Sequence, residues 1–385
     1  MARILFVVPP LVGHTNPTVA VAGALAALGH DVAWAAHPDK VAPLLPAGAR
    51  IASLGEGCDD AVFAPILARS RRVRGLESLE FLWQDFLVPL ARAMRPAVDA
   101  AIAELRPDLV VVDQQAIGGA LAARRRGVAW ATLCTTSAEL TDPLAALPKV
   151  KAWVLHKLAA LQEEAGLPVV DRPDLSPALV LVLSTEALIG DVSGFPPASR
   201  FVGPALADRP DAAPFPWDAL EKRPRVLVSL GTVNADRGEA FYRTVATGLG
   251  DAPFQVILVA PDGMLAASPP GFLIRPRVPQ LALLPHVHAV VSHGGHNTVC
   301  ETLAHGLPLV VTPIKDDQPV VAEQVVRAGC GVRLRFGRLE PLALRGAVKR
   351  VLGEPAFRAA AEQVQASFAA AGGAAAAARH LVELL

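Results

Sequence analysis

The chain has 385 residues, a length typical of about two domains. Hydrophobic residues make up 52% of it, and 36 Lys and Arg are balanced by 36 Asp and Glu, so the formal net charge is zero. A nucleic-acid-binding protein usually carries a basic surplus, and this balance argues against that class. The four cysteines form no CxxC pair, which argues against a metal cage or a redox motif.

The chain shows no export or membrane signal. The apolar run "ILFVVPP" near the start is too short for the h-region of a signal peptide and lacks a cleavage site. A stretch of about 18 uninterrupted apolar residues, which a membrane span needs, does not occur. The sequence therefore predicts a soluble, cytoplasmic protein.

The first half alternates apolar runs of strand length with helical patterns. A helix is expected after the loop "LVGHTNP", with Asn16 as its cap and Pro17 in its first turn. Further strands are predicted in "DVAWAA", "PDLVVVD", "VAWATLC", "LVLVLS" and "FVGPA", with a helix over 117–126 and an amphipathic segment over 77–105. Continuous apolar strands separated by helices indicate a parallel sheet covered on both faces.

A second series of alternating strands and helices begins after a proline-rich stretch. Strands are predicted in "RVLVSLGT", "QVILVA", "FLIRPRV", "AVVSH" and "PLVVTP", and a helical tail over 341–385 is broken at Gly372 and Gly373. The predicted division is 1–205 for the first domain, 206–223 for the linker, 224–370 for the second domain and 371–385 for a final helix packing on the first domain. The fold class is α/β, with two doubly wound parallel sheets.

The stretch "VVSHGGHNTVCETLAHGLPLVVTP" carries the strongest chemical pattern. Its first strand is expected to end at His293, followed by two glycines, which let another molecule approach the backbone, and then by a helix. A helix N-terminus offers unpaired N–H groups and a partial positive charge, so it favours an anion. The pattern predicts a diphosphate site, with Thr298 as a further donor and Glu301 accepting from a ribose hydroxyl. A histidine with a purely structural role beside a glycine turn is the alternative.

The longer segment "RVPQLALLPHVHAVVSHGGHNTVCETLAHGLPLVVTPIKDDQP" resembles the donor-binding signature of family 1 glycosyltransferases with the GT-B fold. It is most similar to the actinobacterial branch that glycosylates antibiotics and other natural products. "VVPPLVGHTNP", "PDLVVVD" and "SLGT" are similar to other landmarks of that family, so the resemblance extends over nearly the whole chain. It implies two Rossmann-like domains facing a cleft. It also implies an inverting transfer of a sugar from a UDP- or dTDP-sugar to a hydroxyl, amine or carbon of an apolar aglycone.

The resemblance places His14 on the catalytic histidine of the family and Asp113 on its partner. The chemistry agrees with these roles. An imidazole with a pKa of about 6.5 can accept a proton at cytosolic pH, and a carboxylate on the other ring nitrogen fixes the tautomer.

The donor-side residues also follow from the resemblance. Thr232, His293, Gly295, Asn297 and Thr298 are expected to surround the diphosphate, Glu301 to hold the ribose, Arg277 and Val278 to lie near the base, and Asp317 and Gln318 to contact the sugar hydroxyls. Gln280 is a further donor-side candidate, with a purely local structural role as the alternative. Two positions depart from the family pattern. Arg277 replaces a common aromatic residue, although a guanidinium plane can also stack on a base, and Val321 replaces a common asparagine.

No metal is expected, because the chain lacks any Asp-x-Asp. No cofactor is expected beyond the nucleotide sugar, which is a co-substrate. The expected acceptor-side candidates are Phe63, Phe81, Trp83 and Phe86, with core packing as the alternative. The predicted partners are a small-molecule aglycone and a nucleotide sugar, with the protein a monomer or homodimer. A lipid or carotenoid glycosyltransferase at a membrane surface, a sugar-nucleotide epimerase and a non-catalytic partner of another transferase are the other functions considered.

Overall fold

A computed structural model describes residues 1–55, 58, 60–70, 73, 75–207, 213–231, 238–265 and 267–385. The chain divides into two compact units. Unit 1 comprises Met1–Ser184, Val192–Pro210 and Ala371–Leu385, and unit 2 comprises Thr185–Asp191 and Asp211–Ala370. Each unit contains one parallel sheet with helices on both faces.

The sheet of unit 1 has seven described strands in the order β3-β2-β1-β4-β5-β6-β7. They are β1 (Arg3–Val7), β2 (Asp31–Ala36), β3 (Arg50–Ser53), β4 (Leu109–Asp113), β5 (Trp130–Cys134), β6 (Val180–Val182) and β7 (Ser199–Phe201). The helices of this unit are α1 (Val12–Ala27), α2 (Pro38–Val41), α3 (Asp60–Ser70), α4 (Leu76–Phe81), α5 (Val88–Leu105), α6 (Ile117–Arg126), α7 (Pro148–Glu164) and α15 (Gly373–Val382).

The sheet of unit 2 has six described strands in the order β10-β9-β8-β11-β12-β13. They are β8 (Arg225–Ser229), β9 (Gln255–Val259), β10 (Phe272–Arg275), β11 (Ala289–Ser292), β12 (Leu309–Val311) and β13 (Gly331–Arg333). The helices are α8 (Glu186–Ile189), α9 (Glu239–Leu249), α10 (Gln280–Leu283), α11 (His296–Ala304), α12 (Gln318–Arg327), α13 (Pro341–Gly353) and α14 (Pro355–Ala371). The expected α/β class with two doubly wound parallel sheets is confirmed.

One local expectation needs correction, and two features were not predicted from the sequence. Helix α1 begins at Val12, so the expected cap at Asn16 is wrong, and Pro17 lies inside the helix rather than in its first turn. The early start is stabilised by the Leu11 carbonyl, which accepts from the backbone N–H of His14 at 3.1 Å. The amphipathic segment over 77–105 is helical but has a π-helical turn at Leu82–Leu87 between α4 and α5. Strands β3 and β13, only four and three residues long, were not predicted.

The sheet of unit 1 is buried on both faces because its strands are apolar on both sides. Ile4 and Phe6 of β1 belong to the hydrophobic cluster that includes α1 and α15, whereas Leu5 and Val7 belong to the cluster that includes α5 and α6. This alternation follows from the two-residue period of a strand. The same alternation indicates on which face of the sheet the residues just after each strand lie.

The final helix α15 belongs to unit 1. It follows a break at Gly372 and Gly373, which have φ angles of 85° and 54° and so adopt a conformation that favours glycine. The N–H of Gly373 donates to the carbonyl of Val202 at 2.6 Å, and Ala377 and Leu381 are fully buried in the cluster with α1. In the part of the chain that the structure describes, no helix is both long and apolar enough to cross a membrane.

Helices α5 and α6 pack closely because α6 has a glycine at the contact. A Cβ on Gly118 would lie 2.4 Å from the backbone oxygen of Ala91 and 2.6 Å from Cγ of Met94. Backbone cannot move aside cheaply at such distances, so the contact depends on the missing side chain. Since only residues 114–116 join β4 to α6, this packing also fixes the turn that follows Asp113, the last residue of β4.

We predict that Gly118→Ala lowers the free energy of unfolding by about 1–3 kcal/mol, because the new methyl group overpacks the contact between α5 and α6. Gly23→Ala is the matched control. Gly23 is an exposed glycine in α1 whose Cβ would have no neighbour within 4 Å, so helix propensity should raise stability by about 0.5–1 kcal/mol. Urea unfolding followed by circular dichroism measures both changes. A Gly118→Ala protein as stable as the Gly23→Ala protein would contradict the packing argument.

Candidate active site

Each sheet reverses its strand order once, and the candidate residues lie at those two places. β1 is flanked by β2 and β4 in unit 1, and β8 is flanked by β9 and β11 in unit 2. Ligands of open parallel sheets bind outside the carboxyl ends of the strands at such switch points. In unit 1, His14 lies after β1, and Asp113 is the last residue of β4. In unit 2, Gly231 lies after β8, and His293 lies after β11. The topology therefore gives each unit one candidate ligand site.

The site of unit 1 is built around the carboxylate of Asp113, which is 1% exposed. Nδ1 of His14 lies 2.9 Å from both carboxylate oxygens. The hydroxyl of Thr135 donates to Oδ2 at 2.9 Å and lies 2.8 Å from Nδ1 of His14. The backbone N–H of Gln115 donates to Oδ1 at 2.9 Å. The side chains expected to act together are thus in direct contact.

This geometry selects one tautomer of His14. Nδ1 is surrounded by oxygens, and two of them belong to a carboxylate that can only accept. Because an unprotonated Nδ1 would face these oxygens without a proton, the N–H must lie on Nδ1. The lone pair of the neutral ring is then on Nε2, which is the atom able to accept a proton from a substrate.

Helix α1 is held in place one turn beyond His14. The indole N–H of Trp34 in β2 donates to the hydroxyl of Thr18 at 3.0 Å, and that hydroxyl donates to the carbonyl of Thr15 at 2.7 Å. All three residues are buried, and the ring of Trp34 stacks on Phe6 of β1. The first turns of α1 are therefore fixed against the sheet, which limits the positions open to the imidazole.

A second carboxyl group is linked to Asp113 through Gln115. The side-chain amide of Gln115 donates to Oε1 of Glu139 at 3.0 Å, while its backbone N–H donates to Asp113. Glu139 lies in a short 3-10 turn, Ala138–Thr141, that follows β5. Burial raises the pKa of the Glu139 carboxyl above its usual range, which favours its uncharged form.

In unit 2 the imidazole of His293 is enclosed by bare backbone. A Cβ on Gly231 would lie 2.6 Å from its Cε1, and a Cβ on Gly295 would lie 2.5 Å from its Nε2. Nδ1 is buried and has no hydrogen-bond partner among the residues described. Burial lowers the pKa of His293 to about 4, so the ring is neutral near pH 7. A buried polar atom of this kind needs an explanation, and a bound ligand, which the sequence pattern predicts, would supply one.

Helix α11 begins at His296, and Gly295 is its cap residue. Asn297 and Thr298 lie half-buried in its first turn, at the end of the helix where the helix dipole favours an anion. Glu301, one turn further on, is 2% exposed and accepts from the amide nitrogen of Gln280. Gln280 therefore orients the carboxylate of Glu301, which was expected to bind a ribose.

The remaining donor-side residues occupy neighbouring loops. Gln318 is the first residue of α12, and its amide oxygen already accepts from the backbone N–H of Ile314 at 2.9 Å and of Lys315 at 3.2 Å. Only its nitrogen is left to serve a sugar hydroxyl. Asp317 is the cap residue of α12. After β10, Arg277 is exposed and Val278 is half-buried, and Thr232 lies outside the described residues.

Three of the four acceptor-side candidates lie in the hydrophobic core of unit 1. Phe63, Phe81 and Phe86 are 2%, 7% and 5% exposed, and Phe63 packs edge-on against Phe86 with ring centroids 6.0 Å apart. Trp83, in the π-helical turn, is only half-buried. The burial of the three phenylalanines favours the core alternative for them. Contact between any of the four and an acceptor stays a prediction.

Sequence reasoning placed "TTSAEL", which begins at Thr135, only among the acceptor-side segments implied by the resemblance, and it assigned no role to Gln115 or Gly231. Thr135 falls in "TTSAEL", directly after β5, and Gln115 falls two residues after β4. The usable signal was that polar residues directly after adjacent parallel strands meet at one edge of the sheet. Gly231 is identified as a contact of His293 only by distance in space.

Comparisons with known proteins agree with the fold and indicate the class of enzyme. Residues 250–384 match the family described as erythromycin biosynthesis protein CIII-like, C-terminal domain. The chain is 28% identical to the 4'-demethylrebeccamycin synthase of Lentzea aerocolonigenes over 96% of each protein. It is 29% identical to the demethyllactenocin mycarosyltransferase of Streptomyces fradiae over 100% of this chain and 87% of that protein. The crystal structure of the glycotransferase of kitacinnamycin matches with a TM-score of 0.81 at 26% identity, covering 100% of this chain and 99% of that one.

Two Rossmann-like units, together with these relatives, define a glycosyltransferase of the GT-B fold. The chain is a nucleotide-sugar-dependent glycosyltransferase, and its C-terminal part is similar to the EryCIII-like proteins.

The burial of His293 makes a prediction about acid stability. Its pKa is about 4 in the folded protein and about 6.5 in the unfolded chain. Between these two pH values the unfolded chain binds more protons than the folded protein. The free energy of unfolding therefore decreases as the pH is lowered from about 6.5 to about 4. We expect this residue alone to remove about 2 kcal/mol of unfolding free energy between pH 7 and pH 5. His293→Asn should lose that much less over the same range. Urea titrations at both pH values measure the difference.

His156→Asn is the control, because His156 is exposed on α7. It should show the same loss between pH 7 and pH 5 as the unaltered protein. An equal loss in the His293→Asn protein would mean that His293 is not held neutral by burial.

Proposed function

We propose that this enzyme transfers a sugar from a UDP- or dTDP-sugar to a hydroxyl group of an apolar natural-product aglycone, with inversion at the anomeric carbon and with His14 as general base. The observation that carries the proposal is the contact of His14 with the buried carboxylate of Asp113, which orients Nε2 as a proton acceptor. The relatives act in the biosynthesis of rebeccamycin-type and lactenocin-type compounds by their names, which supports the substrate class.

The proposed step moves one proton and exchanges one bond. The acceptor hydroxyl gives its proton to Nε2 of His14 as its oxygen forms a bond to the anomeric carbon. The bond between that carbon and the diphosphate breaks, and the nucleoside diphosphate leaves with the electron pair. Asp113 offsets the positive charge that develops on the imidazole without taking the proton itself. Attack from the face opposite the leaving group inverts the configuration.

The leaving diphosphate would be held by unit 2. The first turn of α11 offers backbone N–H groups, and the neutral ring of His293 can donate one hydrogen bond to a phosphate oxygen. Such preorganised donors stabilise the charge that the diphosphate gains as the bond breaks. Glu301, held by Gln280, would accept from a ribose hydroxyl. Gln318 would donate to the sugar through its amide nitrogen.

The direct test is a nucleotide-sugar screen by calorimetry, followed by mass spectrometry of reactions with a panel of polyketide, indole and phenolic aglycones. A product heavier by one sugar residue, formed only when both substrates are present, supports the proposal. A change of sugar configuration in the donor without any aglycone would instead indicate an epimerase. Activity that depends on liposomes or detergent would indicate a lipid acceptor.

We predict that His14→Ala lowers turnover with an alcohol acceptor by about 10²- to 10⁴-fold, because general-base assistance has that typical value. The affinity for the nucleotide sugar should be nearly unchanged, since His14 and the proposed donor residues belong to different units. Asp113→Asn should cost less, because the base itself is kept. Steady-state kinetics and calorimetry measure the two effects.

A strongly acidic phenol provides the internal control for this prediction, because it ionises without help. His14→Ala should therefore lose much less activity with that phenol than with the alcohol. Full activity of His14→Ala on the alcohol would show that His14 is not the base.

We also predict that His293→Ala weakens the binding of UDP or dTDP by about tenfold, the value of one hydrogen bond to a charged phosphate oxygen. Calorimetry with the free nucleoside diphosphates measures this loss without any acceptor. His305→Ala is a matched control, because His305 lies at the far end of α11. Equal affinities of the His293→Ala and unaltered proteins would place the diphosphate elsewhere.

A further inference from the structure

Gln114 is a buried polar residue to which the proposed reaction gives no task. It follows the last residue of β4, and its backbone N–H donates to the carbonyl of Leu133 at 3.1 Å, so it continues the ladder between β4 and β5. Its side chain is 2% exposed. It is the next residue after Asp113, and adjacent Cα atoms are about 3.8 Å apart. Gln114 therefore lies at the same switch point as the proposed base.

The amide of Gln114 is unusual because neither of its polar atoms has a hydrogen-bond partner among the residues described. Gln162, equally buried in the same unit, shows the ordinary situation. Its oxygen accepts from Arg124 and from the N–H of Val170, and its nitrogen donates to the carbonyls of Leu158 and Val170. A buried amide without partners lowers stability, so its presence next to a site calls for a functional explanation.

The alternation along β4 shows which side of the sheet Gln114 serves. Val110 and Val112 belong to the cluster with α5 and α6, and Gln114 continues their row. Asp113 continues the row of Leu109 and Val111, on the face of α1 and His14. A molecule whose hydroxyl is held at His14 would therefore reach Gln114 with a different part of its framework.

Resting on the proposed function, we propose that Gln114 is an acceptor-binding residue whose amide hydrogen-bonds a second polar group of the aglycone, such as a carbonyl oxygen remote from the attacked hydroxyl. The amide can donate through Nε2 and accept through Oε1, so it recognises a group that supplies the complementary atom. In an apolar pocket one such contact sets orientation and specificity. The unpaired state of the amide is the cost in stability of a site that is satisfied only when the acceptor binds.

The experiment compares Gln114→Met with Gln162→Met, because methionine keeps the length of the side chain and removes its polar atoms. The unfolding temperature of the Gln114→Met protein should equal or exceed that of the unaltered protein, since no hydrogen bond of the described residues is lost. The Gln162→Met protein should unfold about 2–4 °C lower, because four partners lose their contacts. A Gln114→Met protein that is destabilised like Gln162→Met, or that fails to fold, overturns the proposal.

The kinetic part uses two phenols of similar size, with UDP-glucose and dTDP-glucose supplied together. 4-Methylumbelliferone carries a lactone carbonyl remote from its hydroxyl, and 2-naphthol lacks it. Gln114→Met should raise the KM for 4-methylumbelliferone about tenfold and leave the KM for 2-naphthol and for the nucleotide sugar unchanged. Equal effects on both phenols, or none on either, overturn the proposal.

The two proposals fail in different ways. If the unaltered enzyme glycosylates neither phenol, that result counts against the proposed function. The role of Gln114 is then decided by the unfolding temperatures and by fluorescence titration with 4-methylumbelliferone, whose affinity must fall in the Gln114→Met protein and not in the Gln162→Met protein.

Discussion

The burial of one carboxylate organises the catalytic end of unit 1. Removing an ionised carboxylate from water costs several kcal/mol unless hydrogen bonds replace its hydration. Asp113 receives these bonds from His14, Thr135 and the backbone of Gln115, which belong to α1, to the end of β5 and to the turn before α6. These hydrogen bonds to one carboxylate thus hold three parts of the unit together. The orientation of the imidazole is a consequence of this requirement, so structure and proposed chemistry depend on the same contacts.

The switch point of unit 2 has the same topology, but its histidine has different electrostatic surroundings. This switch point holds a histidine kept neutral by burial, between Gly231 and Gly295, at the mouth of α11. A base that must accept a proton benefits from an acidic partner, whereas a ring that must face a diphosphate benefits from having none. Two similar sheets therefore carry histidines whose surroundings differ as their proposed tasks differ.

Much of the fold was readable from the sequence because the strands are continuous apolar runs, and the helix over 117–126 was predicted with its observed bounds. The start of α1 was not, since the bond from His14 to Leu11 that extends it depends on local geometry. Residues on one chain segment, such as His293 and Gly295, could be grouped by spacing alone. The contact of Thr135 with His14 joins positions 121 residues apart, and the bond of Gln280 to Glu301 joins different helices, so only the folded chain brings them together.

The placement of α15 in unit 1 has a consequence for synthesis on the ribosome. Ala377 and Leu381 complete the cluster around α1, yet about 160 residues separate them from the preceding part of that unit. At translation rates of roughly 5–20 residues per second, the nascent chain waits on the order of ten seconds or more with one flank of α1 uncovered. Unit 2, apart from the short segment with α8, is made without interruption during that interval. The first unit therefore lacks only its last segment, Ala371–Leu385, while the second one emerges.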